Sequence, residues 1–151
     1  MRRRLQRRRR GFTLIEVLLV AGILAVLAAF AIPSLFGQAT KAKIKLAEAG
    51  VGRNGPIAKA LESYKWDMGK YPDTDEGIEA LMKTKQEADD ERYGGPYLEN
   101  DVVLDPWSKP FNYRSPGQFH EDGYDLWSSG PDQNDDGGKE GSDDIKNWIE
   151  K

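Results

Sequence analysis

The chain has 151 residues, with 22 basic and 25 acidic side chains and a formal net charge of −3. Seven arginines stand among the first ten residues, so the remaining 15 basic and 25 acidic residues carry a net charge of −10. That balance argues against general nucleic-acid binding by the body of the protein. The absence of cysteine excludes a disulfide scaffold and a zinc–thiolate site, and a single histidine, His120, excludes a multi-histidine metal centre.

The segment after the arginine cluster is strongly apolar. Residues 12–36 contain one charge, Glu16, and a helix of this length rises about 37 Å, enough to cross a hydrocarbon core of about 30 Å. The arginines favour a cytoplasmic N-terminus with the body on the far side of the membrane. A permanent signal anchor and a cleaved signal peptide both remain open, although the apolar run exceeds the roughly 7–15 residues of a signal peptide.

Glu16 is a charge inside the apolar run that favours a function beyond a plain anchor. A carboxylate at the centre of a membrane helix costs about 2.5–3.5 kcal/mol, less near its end, and such residues are functional by default. The string Gly-Phe-Thr-Leu-Ile-Glu-Val at residues 11–17 resembles the cleavage and methylation motif of type IV pilins and pseudopilins.

This resemblance assigns roles at the N-terminus. It implies that residues 1–11 are a basic leader, removed by a prepilin peptidase that cuts after Gly11 and methylates Phe12. It also implies that Glu16 meets the N-terminal ammonium of a neighbouring subunit and that Pro33 bends the helix during assembly.

The helix is expected to continue beyond the apolar run, over residues 37–68. Three glycines and a proline at 50–56 predict a break within it. A helical pattern resumes over residues 57–68. The residues expected to face the core are Ile57, Ala60, Leu61 and Tyr64.

Residues 69–151 read as an α/β head. A short helix is predicted over 75–83. Short β-prone runs at 102–104, 111–113 and 124–127 predict a small antiparallel sheet laid on the helix. The tryptophans expected to complete its core are Trp107, Trp127 and Trp148.

Two strings in the head make the resemblance more specific. Residues 69–81 and 105–113 resemble the corresponding segments of the major pseudopilins of type II secretion systems. The resemblance implies an α+β, pilin-like fold: a long N-terminal hydrophobic helix, transmembrane before assembly, packed on a small antiparallel sheet, with a calcium-binding C-terminal loop.

The C-terminal loop also has a metal-site pattern of its own. Asp132, Asn134 and Asp136 stand at positions 1, 3 and 5, with Gly137 at 6 and Asp143 at 12, the spacing of calcium loops. Hard oxygen ligands suit Ca²⁺ better than transition metals. A solvated acidic loop fits the spacing equally well, and without flanking helical patterns a true EF-hand is not expected.

Residues 129–132 and 143–148 resemble the two halves of the calcium-binding loop of major pseudopilins. The resemblance implies Ca²⁺ held by two aspartates and backbone carbonyls. The implied ligands are the side chains of Asp132 and Asp143, with Asp144 as a rival to Asp143, and the carbonyl of Ser129. Segment 133–141 is longer and more acidic than expected, so the resemblance assigns no role to Asn134 or Asp136.

The implied function is structural rather than enzymatic. Before assembly, the subunits would be single-pass proteins of the inner membrane, with the N-terminus in the cytoplasm and the head in the periplasm. They would then polymerise into a periplasmic pseudopilus that drives folded proteins across the outer membrane. Expected partners are other copies, the prepilin peptidase, minor pseudopilins, the inner-membrane assembly platform and the membrane itself, with no nucleic acid. Alternatives are an extracellular type IV pilin for adhesion, motility or DNA uptake, a non-polymerising signal-anchored periplasmic calcium-binding module, and a membrane-anchored hydrolase.

Overall fold

The computed structural model describes residues 11–99 and 103–149, with the side chains of residues 31–36 left out. The expected leader, residues 1–11, therefore lies outside the described residues except for Gly11. The described chain forms two compact units, one extending to Ala39 and the other beginning at Thr40.

Helix α1 spans Leu14–Val51. Thr13 starts it, because its carbonyl and hydroxyl oxygens accept hydrogen bonds from the Glu16 backbone N–H at 3.1 and 3.3 Å. The helix exposes large apolar side chains along its N-terminal half. They are Leu14, Ile15, Val17, Leu18, Leu19, Val20, Ile23, Leu24, Val26, Leu27 and Phe30. Within the described residues, no helix combines the length and apolarity needed to cross a membrane.

The glycine-rich stretch separates α1 from a second helix, α2, at Pro56–Met68. Gly55 precedes α2 at a point where no side chain fits. A Cβ there would lie 2.5 Å from the Ala49 carbonyl oxygen and 2.7 Å from that of Gly50. Pro56 follows at the first helical position, where a missing N–H costs nothing. The close backbone approach therefore sets the turn between the two helices.

The apolar face of α2 forms the centre of the second unit, which begins at Thr40 and is called the head from here on. Ile57, Ala60, Leu61 and Tyr64 are all buried, which confirms the 3–4 spacing as a core pattern. Other buried members of the same cluster are Val51, Ile78, Ala80, Leu81, Tyr93 and Leu126. The Tyr64 ring meets the Tyr93 ring edge-on, with centroids 6.0 Å apart. Burial on this face is the main stabilising term for the head.

The expected helix over residues 75–83 is wrong in extent. The Asp73 carbonyl accepts hydrogen bonds from the Glu76 and Gly77 N–H groups, and the Glu76 carboxylate accepts one from the Asp73 N–H at 2.9 Å. These bonds form a first turn, but Gly77 then adopts φ +62° and ψ −168°, outside the helical region, so only a single 3₁₀ turn, Ile78–Leu81, follows.

The sheet has three short antiparallel strands in the order β1 (Asn112–Arg114), β2 (Asp125–Ser128) and β3 (Ile145–Lys146). Strand β2 is central and buried throughout. Tyr113 pairs with Leu126, and Ser128 pairs with Ile145. The α+β class and the small antiparallel sheet are therefore confirmed.

The third strand is not the expected one. Residue 102 lies outside the described residues, and Leu104 forms only an isolated bridge with Pro110. Proline lacks the N–H that would extend this ladder, and the Asp105 N–H donates to the Lys109 carbonyl at 2.7 Å to close a turn. Strand β3 takes the place in the sheet expected for residues 102–104.

Two of the three tryptophans lie where expected. Trp127 and Trp148 are buried, and their rings meet edge-on at 6.0 Å. Trp107 is only half-buried, with the Lys43 ammonium 5.9 Å from its ring centre. The expectation for Trp107 as a core residue is wrong because the residue stands in the turn at 105–109.

Candidate metal centre in the C-terminal loop

Three carboxylates of the C-terminal loop converge. Asp132, Asp136 and Asp143 each offer one oxygen, and these oxygens all lie within 4.8 Å of one another. Two oxygens bound to one Ca²⁺ at about 2.3–2.6 Å must lie within roughly 5 Å of each other. The separation therefore suits a shared hard cation, and all three side chains are exposed to solvent that could deliver it.

A glycine brings the two halves of the loop into contact. Gly130 has φ +65°, and a Cβ on it would lie 2.2 Å from the Asp143 carbonyl oxygen. The Asp143 carboxylate then accepts a hydrogen bond from the Asp132 N–H at 2.9 Å. Asp132 and Asp143, eleven residues apart, are thereby held side by side.

The Asp132 carboxylate is held in its charged form. The Asn134 backbone N–H donates to Oδ1 at 2.8 Å, and the Asn134 side-chain amide donates to Oδ2 at 3.2 Å. The backbone bond contributes most to lowering the pKa of Asp132. The Asn134 side chain therefore acts as a hydrogen-bond donor to the Asp132 carboxylate.

Asp144 lies apart from the three exposed carboxylates. It is buried, and its Oδ2 accepts a hydrogen bond from the Gly138 N–H at 2.8 Å. Its Oδ1 is also buried and has no hydrogen-bond partner among the described residues. Burial raises the pKa of this carboxyl, because the charged form loses water.

Ser129, the expected carbonyl ligand, is tied to the sheet through its side chain. It is buried, and its hydroxyl accepts a hydrogen bond from the Asn112 side-chain amide of β1 at 3.0 Å. The start of the loop is therefore fixed to a strand.

Sequence reasoning missed Asp125, a buried carboxylate at the start of β2. It accepts hydrogen bonds from the Gln118, Phe119 and His120 N–H groups and, at 2.9 Å, from Arg114. Burial opposes its ionisation, but the Phe119 N–H and Arg114 outweigh burial and lower the pKa of Asp125. The available signal was a charged residue inside a β-prone run.

The N-terminal motif lies at the start of α1. Gly11 and Phe12 precede the helix and are exposed, and Glu16 stands exposed in its first turn. Pro33 falls within the range of α1, but its side chain is outside the described residues, so its bending role stays a prediction.

A long N-terminal helix followed by a small α+β head with an antiparallel sheet defines a pilin-like protein. A family profile described as "Prokaryotic N-terminal methylation motif" matches residues 6–32. The crystal structure of the major pseudopilin from the type 2 secretion system of enterohaemorrhagic Escherichia coli is similar in fold. Its TM-score is 0.58 at 29% identity, covering 76% of this chain and 89% of that one.

The profile described as "Type II secretion system (T2SS), protein G" matches residues 34–148. The type II secretion system core protein G of Pseudomonas aeruginosa is 38% identical, with 95% of this chain and 97% of the relative covered. That of Vibrio cholerae is also 38% identical, with coverage of 94% and 93%. The chain belongs to the type II secretion system protein G family, whose members are structural pseudopilin subunits and not enzymes.

Proposed function

We propose that this chain is the polymerising subunit of a periplasmic pseudopilus that drives export of folded proteins by type II secretion. The observation that carries the proposal is the protein G profile over residues 34–148, joined to a methylation motif over residues 6–32. The relatives over nearly the full chain are secretion subunits, which favours secretion over a surface pilus.

Maturation begins with a prepilin peptidase that cuts after Gly11 and methylates Phe12. Both residues lie before the helix, and Phe12 is 83% exposed. An exposed peptide bond outside a helix is accessible to a peptidase, whereas a bond inside a hydrogen-bonded helix is not.

The exposed apolar side chains of α1 support a partner-dependent role for this helix. An apolar surface of this extent marks contact with lipid or protein. In the proposed cycle, lipid covers it first, with the N-terminus cytoplasmic and the head periplasmic. Neighbouring helices cover it after assembly, and Glu16 then pairs with the methylated N-terminal ammonium of another subunit, an attraction strengthened by low dielectric.

The remaining partners follow from the same cycle. Minor pseudopilins are further expected filament partners, and an inner-membrane assembly platform would extract each subunit from the bilayer. Pro33 would allow α1 to bend as it leaves lipid for the filament core.

A deletion strain tests the proposal most directly. The extracellular proteome is compared with that of the parent, and surface filaments are imaged in parallel. We expect loss of a defined set of folded exoproteins without loss of long surface fibres. Normal export with missing fibres would support a surface pilin, and no change in either would point to an anchored module that does not polymerise.

We also propose that the head binds Ca²⁺ at the C-terminal loop through Asp132, Asp143 and the Ser129 carbonyl. The donor set is oxygen only, which suits a hard cation. Of the two rival aspartates, Asp143 is the one that converges with Asp132. Its rival, Asp144, is not a member of that group and accepts a hydrogen bond from the Gly138 N–H.

Thermal unfolding tests the calcium site. Wild-type protein in detergent should melt at a higher temperature with Ca²⁺ than with chelator, by an amount equivalent to about 2.7 kcal/mol at 100 times Kd. Asp132→Ala should lose this difference, whereas Asp75→Ala, the same change at an exposed aspartate outside the loop, should retain it. Equal melting temperatures for the wild-type protein in both buffers would refute the proposed calcium site.

A further inference from the structure

The third converging carboxylate, Asp136, stands in segment 133–141, to which the family resemblance assigns no ligand. We propose that Asp136 is a ligand of the calcium ion and that a hydrogen bond between Trp127 and Asp135 positions it. This inference rests on the calcium site proposed above.

The hydrogen bond joins segment 133–141 of the loop to the sheet. The Trp127 indole Nε1 donates to Asp135 Oδ1 at 2.8 Å. Trp127 is buried on β2, where it is paired with Asn112 on one side and Lys146 on the other. A rigid central strand therefore fixes the carboxylate of Asp135.

The same oxygen of Asp135 also fixes the chain beyond Asp136. Asp135 Oδ1 accepts a second hydrogen bond, from the Gly137 N–H at 2.9 Å. The next residue, Gly138, donates its N–H to Asp144 at 2.8 Å and accepts from the Lys146 ammonium at 3.1 Å. Asp136 is thus held between anchored neighbours on both sides.

Asp135 and Asp136 therefore have different roles. Asp136 contributes an oxygen to the group it forms with Asp132 and Asp143, and Asp135 is not a member of that group. Calcium affinity rises with the number of charged ligands and with the rigidity of the site. Asp136 supplies the charge, and Asp135 acts as a positioning residue.

The test measures ion binding by the full mature chain in detergent micelles. Tb³⁺ replaces Ca²⁺ and is excited through nearby tryptophan, and calorimetric Ca²⁺ titration gives the affinity independently. Outer-shell substitutions typically cost about 10–100-fold in metal affinity. We expect a loss of that size for Asp135→Ala and at least as large a loss for Asp136→Ala.

Two further variants separate positioning from charge. Asp135→Asn keeps an oxygen that can accept from Trp127 and Gly137, so it should bind Ca²⁺ within about threefold of wild type. Glu140→Ala removes an exposed carboxylate of the same loop and should leave affinity unchanged. Circular dichroism verifies that each variant is folded.

The outcomes discriminate between the two proposals. If the wild-type chain binds neither ion, the calcium site and this inference both fall. If it binds both and Asp135→Ala matches Glu140→Ala, the site stands and the positioning role is refuted. Asp135→Asn as weak as Asp135→Ala would also refute positioning, because charge alone would then matter. An unchanged Ca²⁺ affinity of Asp136→Ala would show that Asp136 is not a ligand.

Discussion

The two units of the molecule satisfy their apolar residues in opposite ways. In the head, Ile57, Leu61, Leu81 and Leu126 are fully buried against one another. In the N-terminal half of α1, side chains as apolar as Leu14 remain exposed. The head carries its own core, whereas α1 leaves its apolar side chains exposed within the described residues, which fits the proposed cover by lipid or other subunits.

The two units also differ in where their charged groups find partners. Buried Asp125 in the head has donors from its own chain on several sides. Glu16 in α1 is exposed, and its proposed partner belongs to another subunit. Substitutions in the head should therefore change the free energy of unfolding of the protein, and substitutions in α1 should change assembly with little effect on that free energy.

The largest expected effect is on assembly. Glu16→Val should be processed normally yet form few or no filaments, because removing one partner of a buried ion pair costs about 3–5 kcal/mol. About 1.4 kcal/mol already corresponds to a tenfold change in an equilibrium. Filament yield and secretion provide the measurement. Glu16→Asp, which keeps a carboxylate, should retain more assembly, and abundant filaments from Glu16→Val would contradict the pairing.

The counterpart in the head is Asp125→Ala. It leaves the Arg114 guanidinium and the N–H groups at 118–120 without their acceptor, so unfolding free energy should fall by about 3–5 kcal/mol. Urea denaturation of the full chain in a compatible detergent measures the loss. Asp73→Ala, at an exposed salt bridge with Lys70, serves as the control and should cost less than about 1 kcal/mol. Similar losses in the two variants would mean that Asp125 is not the anchor of its loop.

Unfolding in acid should test the same interaction, between the Asp125 carboxylate and its hydrogen-bond donors. The pKa of Asp125 is lower in the folded protein than its unfolded value of about 3.9. The resulting stabilisation is therefore complete only above about pH 5 and is lost progressively as pH falls through the unfolded and then the folded pKa. Thermal melting between pH 6 and pH 2 should show a steeper loss below pH 4 for wild type than for Asp125→Asn. Parallel pH curves for the wild-type protein and Asp125→Asn would mean that other carboxylates cause the loss of stability in acid.

The local parts of this architecture were predictable from sequence, and the non-local parts were not. The apolar face of α2 follows from the 3–4 spacing of Ile57, Leu61 and Tyr64, which depends on a single helix. Strand β3 depends on pairing with β2, some twenty residues earlier, and two residues give no periodic signal. The helix expected over residues 75–83 shortens to a 3₁₀ turn at 78–81 because Gly77 adopts φ +62° and ψ −168°, a backbone conformation that glycine permits and that the sequence pattern does not specify.

The candidate metal centre was likewise predictable in its local features and not in its non-local ones. Asp132 and Asp143 were recognisable from spacing and resemblance, and the structure brings them together with Asp136. Neither the Trp127–Asp135 hydrogen bond nor the position of Asp144 follows from spacing. Both depend on how the loop folds back onto β2 and Gly138.

The smallest expected effect concerns the contact that closes the loop. Gly130→Ala should lower the unfolding free energy by about 1–2 kcal/mol for its positive φ alone, and more because its Cβ would meet the Asp143 carbonyl oxygen. Gly69→Ala is the matched control, since Gly69 lies outside the loop, has a φ of +81° and has no described atom within 4 Å of an added Cβ. Both variants carry the backbone strain, but only Gly130→Ala pushes Asp143 away from Asp132. Calcium affinity should therefore fall in Gly130→Ala and not in Gly69→Ala, and equal affinities would mean that the contact between the loop halves is not what holds the carboxylates together.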